Sequence, residues 1–142
     1  MSCLLWNNED YSVQIPSIDN EHKILIALVN ELDSAMNFHV SFRAQFILDK
    51  LTNFSNSIKN HIASEERFLL SNKYPELVSH QLKHAEIIER LNKFESWFKG
   101  CKIPFNEKML LFIKDLLVRH FILHDRKYGT YYLDKEISSQ SK

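Results

Sequence analysis

The sequence predicts an all-α protein: an antiparallel up-down-up-down four-helix bundle with an N-terminal arm and a short C-terminal tail. Three observations carry that reading. Apolar residues recur in steps of three and four through four long segments, the spacing of a buried helix face. Breakers are scarce: Gly stands only at 100 and 129 and Pro only at 16, 75 and 104, which argues for long helices rather than a turn-rich sheet. The links between segments are short, which favours antiparallel neighbours. The 142 residues suit one domain, 1–142, with a core of its own.

Residues 1–17 read as an irregular arm, with Trp6, Tyr11, Val13 and Ile15 available to pack on the bundle. Helix one starts at Ser17 or Asp19, either a good N-cap, and runs to about Asn37 on the stripe Ile18, His22, Leu25, Val29, Leu32, Met36. A link near Phe38 to Ser41 leads into helix two, about Phe42 to Ser71, on the stripe Ile47, Leu51, Phe54, Ile58, His61, Glu65, Phe68, with Asn72 as its stop. Helix three runs from Pro75, which suits a first turn, to about Lys99, and Gly100 fits the left-handed position after a helix end. Its stripe is Leu77, His80, His84, Ile87, Leu91, Phe94, Phe98. Pro104 and Asn106 open helix four, which carries Met109, Ile113, Leu116, His120 and Leu123 and ends near Tyr128, with Gly129 closing it. The tail begins with Tyr131, Tyr132 and Leu133 and ends in a polar stretch that frays.

Composition excludes several classes. Lys plus Arg equals Asp plus Glu at 18 each and no basic block stands out, so the footprint of a nucleic-acid binder is missing. Cys3 and Cys101 form no CxxC pair and read as two free thiols in a reducing cytosol. The apolar patch from Cys3 to Trp6 meets Glu9 and Asp10 at once, too short and too acidic for a signal peptide. No apolar run approaches the roughly 20 residues that span a bilayer. A soluble, cytoplasmic protein is expected.

The stripes place His22, His61, Glu65, His80, His84 and His120 where leucines are usual. Such groups are costly to bury without compensation. Hydrogen-bonded packing explains any one histidine, but not the whole set on facing stripes. His61 and Glu65, in HIASE, and His80 and His84, in HQLKH, are each four apart, so both members of a pair can reach one ion. Bundle cores build dinuclear sites in this way, with carboxylates bridging and histidines terminal. Imidazole with carboxylate suits iron, zinc or manganese. Helix four leaves a choice. His120 and His124 are four apart and share a face, whereas Asp125 is five on, about 140° round the helix, so spacing favours His124. Glu66 reads as a surface charge facing solvent, and His39 as exposed and without a role.

With these residues in view, the chain resembles the hemerythrin family, most closely its single-domain bacterial members, the bacteriohemerythrins. The family pattern is a lone His on helix one, then HxxxE, HxxxH and HxxxxD on the next three. Here it reads His22, His61–Glu65, His80–His84 and His120–Asp125. The arm is similar too, in Trp6, Tyr11-Ser12-Val13 and Ile18-Asp19-Asn20-Glu21-His22, and the match spans about residues 6 to 129.

The resemblance implies a centre of two iron ions, non-haem and oxo- or hydroxo-bridged, with metal ligands His22, His61, Glu65, His80, His84, His120 and Asp125. It makes His124 a bystander. His80, His84 and His120 would hold one iron, His22 and His61 the other, and Glu65 and Asp125 would bridge both. The two-histidine iron then has one ligand fewer and an open position, where dioxygen binds reversibly. Candidate walls of an apolar pocket are Leu25, Phe54, Ile58, Leu117 and Phe121. Leu117, in LLVRH, stands where the family often has Trp, which implies a larger pocket or wider entry and faster oxidation to the ferric form. The implied function is oxygen storage, delivery or buffering, with dioxygen as partner and no nucleic acid, membrane or enzymatic turnover. A sensing module acting through a protein partner, or a di-iron oxidase or peroxidase, is the alternative. The histidine-rich set, with no general acid beside it, argues against an enzyme.

Overall fold

The computed structural model describes residues 4–37, 40–100 and 104–140; the side chains of 40–42, 120–121 and 136–140 lie outside that description. Cys3, Cys101, Phe38 and His39, and what was expected of them, also lie outside it. The described residues contain no strand. Their order is α1 (Asn8–Tyr11), α2 (Pro16–Ala35), α3 (Val40–Ser71), α4 (Leu77–Gly100), α5 (Glu107–Leu117), a π-helical turn (Val118–Ile122) and α6 (Leu123–Gln140). The last three run on without a break, so the bundle consists of α2, α3, α4 and this composite rod. Helix α2 packs on α3 and α5, α3 on α4, and α4 on the π turn. The expected four-helix bundle is the fold.

Local chemistry sets the ends, not always as expected. Helix α2 opens with Pro16 at its first position after an extended Ile15 that makes no side-chain cap. Asp19, expected as a cap, lies inside the helix and fastens the arm: it accepts from Ser12 Oγ at 2.6 Å and from the Val13 N–H at 2.8 Å. The arm is not wholly irregular. Asn7 caps the short α1 by accepting from the Glu9 N–H, and Arg126 of α6 donates to the carbonyls of Glu9 and Asp10. Helix α3 stops where Asn72 was expected to stop it, through a left-handed Lys73 (φ 54°). The Lys73 N–H returns to Leu70 O and the Tyr74 N–H to Leu69 O, the paired bonds that satisfy a helix's last carbonyls. Asn106 caps α5 as expected, accepting from the Met109 N–H at 3.0 Å.

Two expectations for glycine are corrected. Gly100 is the last residue of α4 itself, and no described glycine has positive φ. Gly129 does not close the fourth helix, which continues to Gln140 through the residues expected as a tail. A Cβ on Gly129 would run into the Val13 backbone, so glycine is there to let the arm lie against the helix.

The interior has two apolar layers. The larger includes Leu25, Val29, Leu32, Ile47, Leu51, Phe54, Ile58, Ile87, Leu91, Ile113 and Leu116. The smaller gathers Val13, Ile18, Leu69, Tyr74 and Tyr128 at the other end. On each rod the buried histidines and carboxylates fall between these layers: His22 between Ile18 and Leu25, His61 and Glu65 between Ile58 and Leu69, His80 and His84 between Tyr74 and Ile87, Asp125 between Ile122 and Tyr128. A polar slab inside a bundle is therefore the setting of the site.

Candidate metal centre

Six of the seven expected ligands converge in this slab. His22, His61, Glu65, His80, His84 and Asp125 are all buried, each no more than 3% exposed. They form two groups whose donor atoms lie within 4.8 Å of one another: His22, His61, Glu65 and Asp125, and Glu65, His80, His84 and Asp125. The seventh, His120, sits in the π turn, and its side chain is outside the described residues, as is that of Phe121. Leu117, just before the turn, is fully buried, as are Leu25, Phe54 and Ile58.

The π turn brings Asp125, as the resemblance implied, and not His124, to the inward face of the fourth helix. The Leu123 N–H bonds back to Val118 O, five residues away instead of four. That wider turn absorbs one residue and shifts the phase of everything after it. Asp125 then lands on the inward face, fully buried, with Oδ2 3.0 Å from His22 Nε2 and Oδ1 3.0 Å from His80 Nε2. His124 is left on the flank, half-buried, its ring stacked on His80 at 4.9 Å. The expectation from spacing, which favoured His124, assumed 3.6 residues per turn throughout.

Both carboxylates are split between the two groups. Glu65 Oε1 lies 2.6 Å from His80 Nε2 and 2.9 Å from His84 Nε2, while its Oε2 lies 2.9 Å from His61 Nε2 and 4.0 Å from His22 Nε2. Asp125 divides its oxygens between His22 and His80. Carboxylates facing both ways, with imidazoles terminal, are the donor chemistry of an ion pair of borderline hardness, and the residues fit it.

Charge balance in the metal-free protein supports the same reading. Burial opposes protonation of His80, but Asp125 and Glu65 outweigh it and lift its pKa to about 9. His61 is raised by the same contest, with Glu65 its main partner. Burial also opposes ionised Glu65, yet its hydrogen bonds to His61, His80 and His84 hold it well below the usual carboxylate range. His124 moves the other way, pushed down by burial and then by His80. Protons thus stand where cations would compensate the buried carboxylates. The raised His80 stabilises the metal-free fold below pH 6.5, and that contribution fades as pH rises through about 9. The depressed Glu65 stabilises above its ordinary 4.5 and loses its effect as pH falls. The metal-free protein should therefore melt highest near pH 5–6.5, whereas metal uptake, which must expel those protons, should tighten as pH rises. Melting curves and metal titrations at pH 6 and pH 8.5 check this; parallel trends in the two would contradict it.

Sequence reasoning missed three supporting residues. Glu21 Oε2 lies 3.0 Å from His61 Nδ1, and Glu66 Oε2 lies 3.3 Å from His84 Nδ1. An ionised carboxylate only accepts, so each Nδ1 carries hydrogen and each Nε2 faces the centre. Glu66 was expected to be a solvated charge; it is instead half-buried against His84. Tyr128, expected to mark a helix end, is fully buried and donates to Glu65 Oε2 at 3.0 Å. Its offset of three from Asp125 was the available signal. Replacing Glu66 with alanine should weaken metal binding by about 10–100-fold, as loss of a ligand-orienting partner does; a chelator-competition titration giving unchanged affinity would return it to the surface-charge class.

A cleft of about 170 Å³, lined by Glu21, Ile24, Leu25, Ser57, Asn60 and His61, opens beside the group that contains His22 and His61. A smaller one of about 40 Å³, between Tyr74, Glu76, Ser79, His80, His124 and Lys127, flanks the other group.

Fold and site together define a four-helix bundle with a buried polar slab able to hold two metal ions. The model of the hemerythrin HHE cation binding domain matches residues 13–132. The chain belongs to the hemerythrin family. It is 30% identical over 121 residues to a myohemerythrin of Theromyzon tessulatum, covering 85% of this chain and 88% of that one. It is 26% identical over 127 residues to a bacteriohemerythrin of Clostridium acetobutylicum, covering 87% and 97%. A crystal structure of wild-type hemerythrin superposes with a TM-score of 0.77 at 22% identity, over 91% of this chain and 97% of that one, a likeness of fold. No helix among the described residues is long and apolar enough to cross a membrane.

Proposed function

We propose that this protein binds dioxygen reversibly at a pair of iron ions, as an oxygen store, carrier or buffer. The observation that carries the reading is the splitting of Glu65 and Asp125 between two imidazole groups. His22 and His61 would hold one iron and His80, His84 and His120 the other, with both carboxylates shared. The group with fewer histidines keeps room for a small ligand, and it is the one beside the larger cleft. Bound iron would supply the two electrons that dioxygen takes up on binding and returns on release.

The chain's own residues do the rest. Glu21 and Glu66 fix the tautomers of His61 and His84. Tyr128 gives its hydrogen to Glu65, orienting the shared carboxylate. Leu25, Phe54 and Ile58 in the layer beside the slab exclude water, which slows proton entry and loss of reduced oxygen. The relatives' names, myohemerythrin and bacteriohemerythrin, agree with this reading.

The test is to purify the protein, count iron, reduce it without air, then admit and remove oxygen while recording the visible spectrum. Two irons per chain and a charge-transfer band that appears and disappears with oxygen are expected. A protein without iron, or one oxidised irreversibly on first contact with air, overturns the carrier reading.

A further inference from the structure

Beside the polar slab lies a continuous cluster of tyrosines between the centre and the surface, of which oxygen binding uses only Tyr128. Tyr128 touches the centre through its hydrogen bond to Glu65 Oε2. Its ring lies 6.1 Å from that of Tyr74. Tyr74 in turn lies 5.4 Å from Tyr131 and 6.1 Å from Tyr132, which are 5.0 Å from each other. Tyr128 and Tyr74 are buried, whereas Tyr131 and Tyr132 are half-exposed. The last two are within reach only because α6 continues past Gly129.

Packing alone does not ask for hydroxyls here, since phenylalanine fills the same space. Yet each buried phenol faces a carboxylate: Tyr128 faces Glu65 at 3.0 Å, and Tyr74 faces Glu76 Oε2 at 3.3 Å. A phenol loses an electron readily only if its proton has somewhere to go, and these distances are those of direct or single-water proton transfer.

We propose that Tyr128, Tyr74 and the Tyr131–Tyr132 pair form a relay that carries one-electron oxidising equivalents from the metal centre to the surface, where a small phenol-type donor consumes them. The proposal rests on the di-iron reading. The oxidant is hydrogen peroxide, which takes two electrons and two protons at the centre and leaves as two waters. For each electron, Tyr128 is oxidised and its proton passes along the hydrogen bond to Glu65 and on to the peroxide oxygen. Tyr74 then reduces Tyr128, a solvent proton restores the Tyr128 hydroxyl, and the Tyr74 proton passes to Glu76 until Tyr74 is reduced in turn. Tyr131 or Tyr132 refills Tyr74, and the donor AH refills the surface ring, leaving as the radical A•. The two protons released by two donors balance those consumed, so the sum is H2O2 + 2 AH → 2 H2O + 2 A•.

The experiment treats the iron-loaded protein with hydrogen peroxide in the presence of a nitroso spin trap and locates tagged residues by peptide mass spectrometry. Tags on Tyr131 and Tyr132 are expected in the parent protein. The variant Tyr74→Phe should lose most of that surface tag and retain it on Tyr128, with iron content and air spectrum unchanged. A double variant, Tyr131→Phe with Tyr132→Phe, keeps the buried rings and should move the tag inward to Tyr74; it serves if Tyr74→Phe fails to fold. Tyr11, half-buried on the arm beside Trp6, is the control for random solution oxidation. Equal tagging of Tyr11, undiminished surface tagging in Tyr74→Phe, or two bound irons with no tagged tyrosine would each overturn the relay. A parent protein that takes up no iron would overturn the relay and the di-iron reading together, and the iron count separates that case from the others.

Discussion

Replacing Glu65 with alanine is expected to abolish metal binding and to unfold a large share of the metal-free protein. Glu65 is fully buried, and its two oxygens serve His61, His80, His84 and Tyr128 at 2.6–3.0 Å. It belongs to both donor groups, so its loss removes a ligand from each. Without metal, the same change strands the His61 and His80 imidazoles, whose positive charge Glu65 compensates. Breaking a buried charge pair from one side costs about 3–5 kcal/mol, a large part of the roughly 5–15 kcal/mol that holds a domain folded. Glu65→Gln keeps the volume and one hydrogen-bonding oxygen but loses the shared charge; it should fold better than the alanine variant and still bind little iron. Asp125→Ala should behave as Glu65→Ala does, whereas His124→Ala should keep its iron. Iron per chain and the midpoint of urea unfolding measure all four. Loss of iron in His124→Ala together with retention in Asp125→Ala would refute the ligand set.

Gly129→Ala sets two known effects against each other. Alanine is the better helix former by about 1 kcal/mol, and Gly129 lies inside α6, so propensity alone predicts a stabler protein. The new Cβ, however, would meet Val13 O and lie 2.9 Å from Val13 C and Cα. Those are backbone atoms, so no rotamer change relieves the contact. Overpacking typically costs about 1–3 kcal/mol. The arm must also retreat, drawing the buried Val13 away from Leu69, Tyr74 and Tyr128. Net destabilisation of about 1 kcal/mol is expected once propensity is subtracted, and more to the extent that Val13 leaves its packing. Gly100→Ala is the control, because a Cβ there meets nothing within 4 Å. Equal or higher stability of Gly129→Ala would show that the arm does not bear on this helix.

Much of the molecule was legible because helices repeat regularly. The steps Ile18–His22–Leu25, Ile58–His61–Glu65 and His80–His84–Ile87 project onto one face at 3.6 residues per turn, so burial of those histidines followed from their positions alone. Helix ends were legible where a single side chain sets them, as at Asn106, and were misread where the cause was distant. Asp19 and Gly129 look like end signals, but one holds the arm and the other makes room for it. Glu66 gave no sign of its role, because its partner His84 is on another helix.

What the sequence by itself determined was the set of helices, their inward faces and the pairs of ligands four residues apart, all of which depend on a local and constant helical pitch. Local spacing misjudged the fourth helix: the family resemblance implied Asp125, and only the tertiary structure shows how that residue turns inward. There the π turn at Val118–Ile122 changes the pitch, and so Asp125, not His124, enters the core. A π turn is less favourable than the α-helix it interrupts, so it persists only where contacts elsewhere favour the shifted phase. Those contacts, His22 and His80 on Asp125, come from residues 103 and 45 positions away in the chain, beyond the reach of any local pattern.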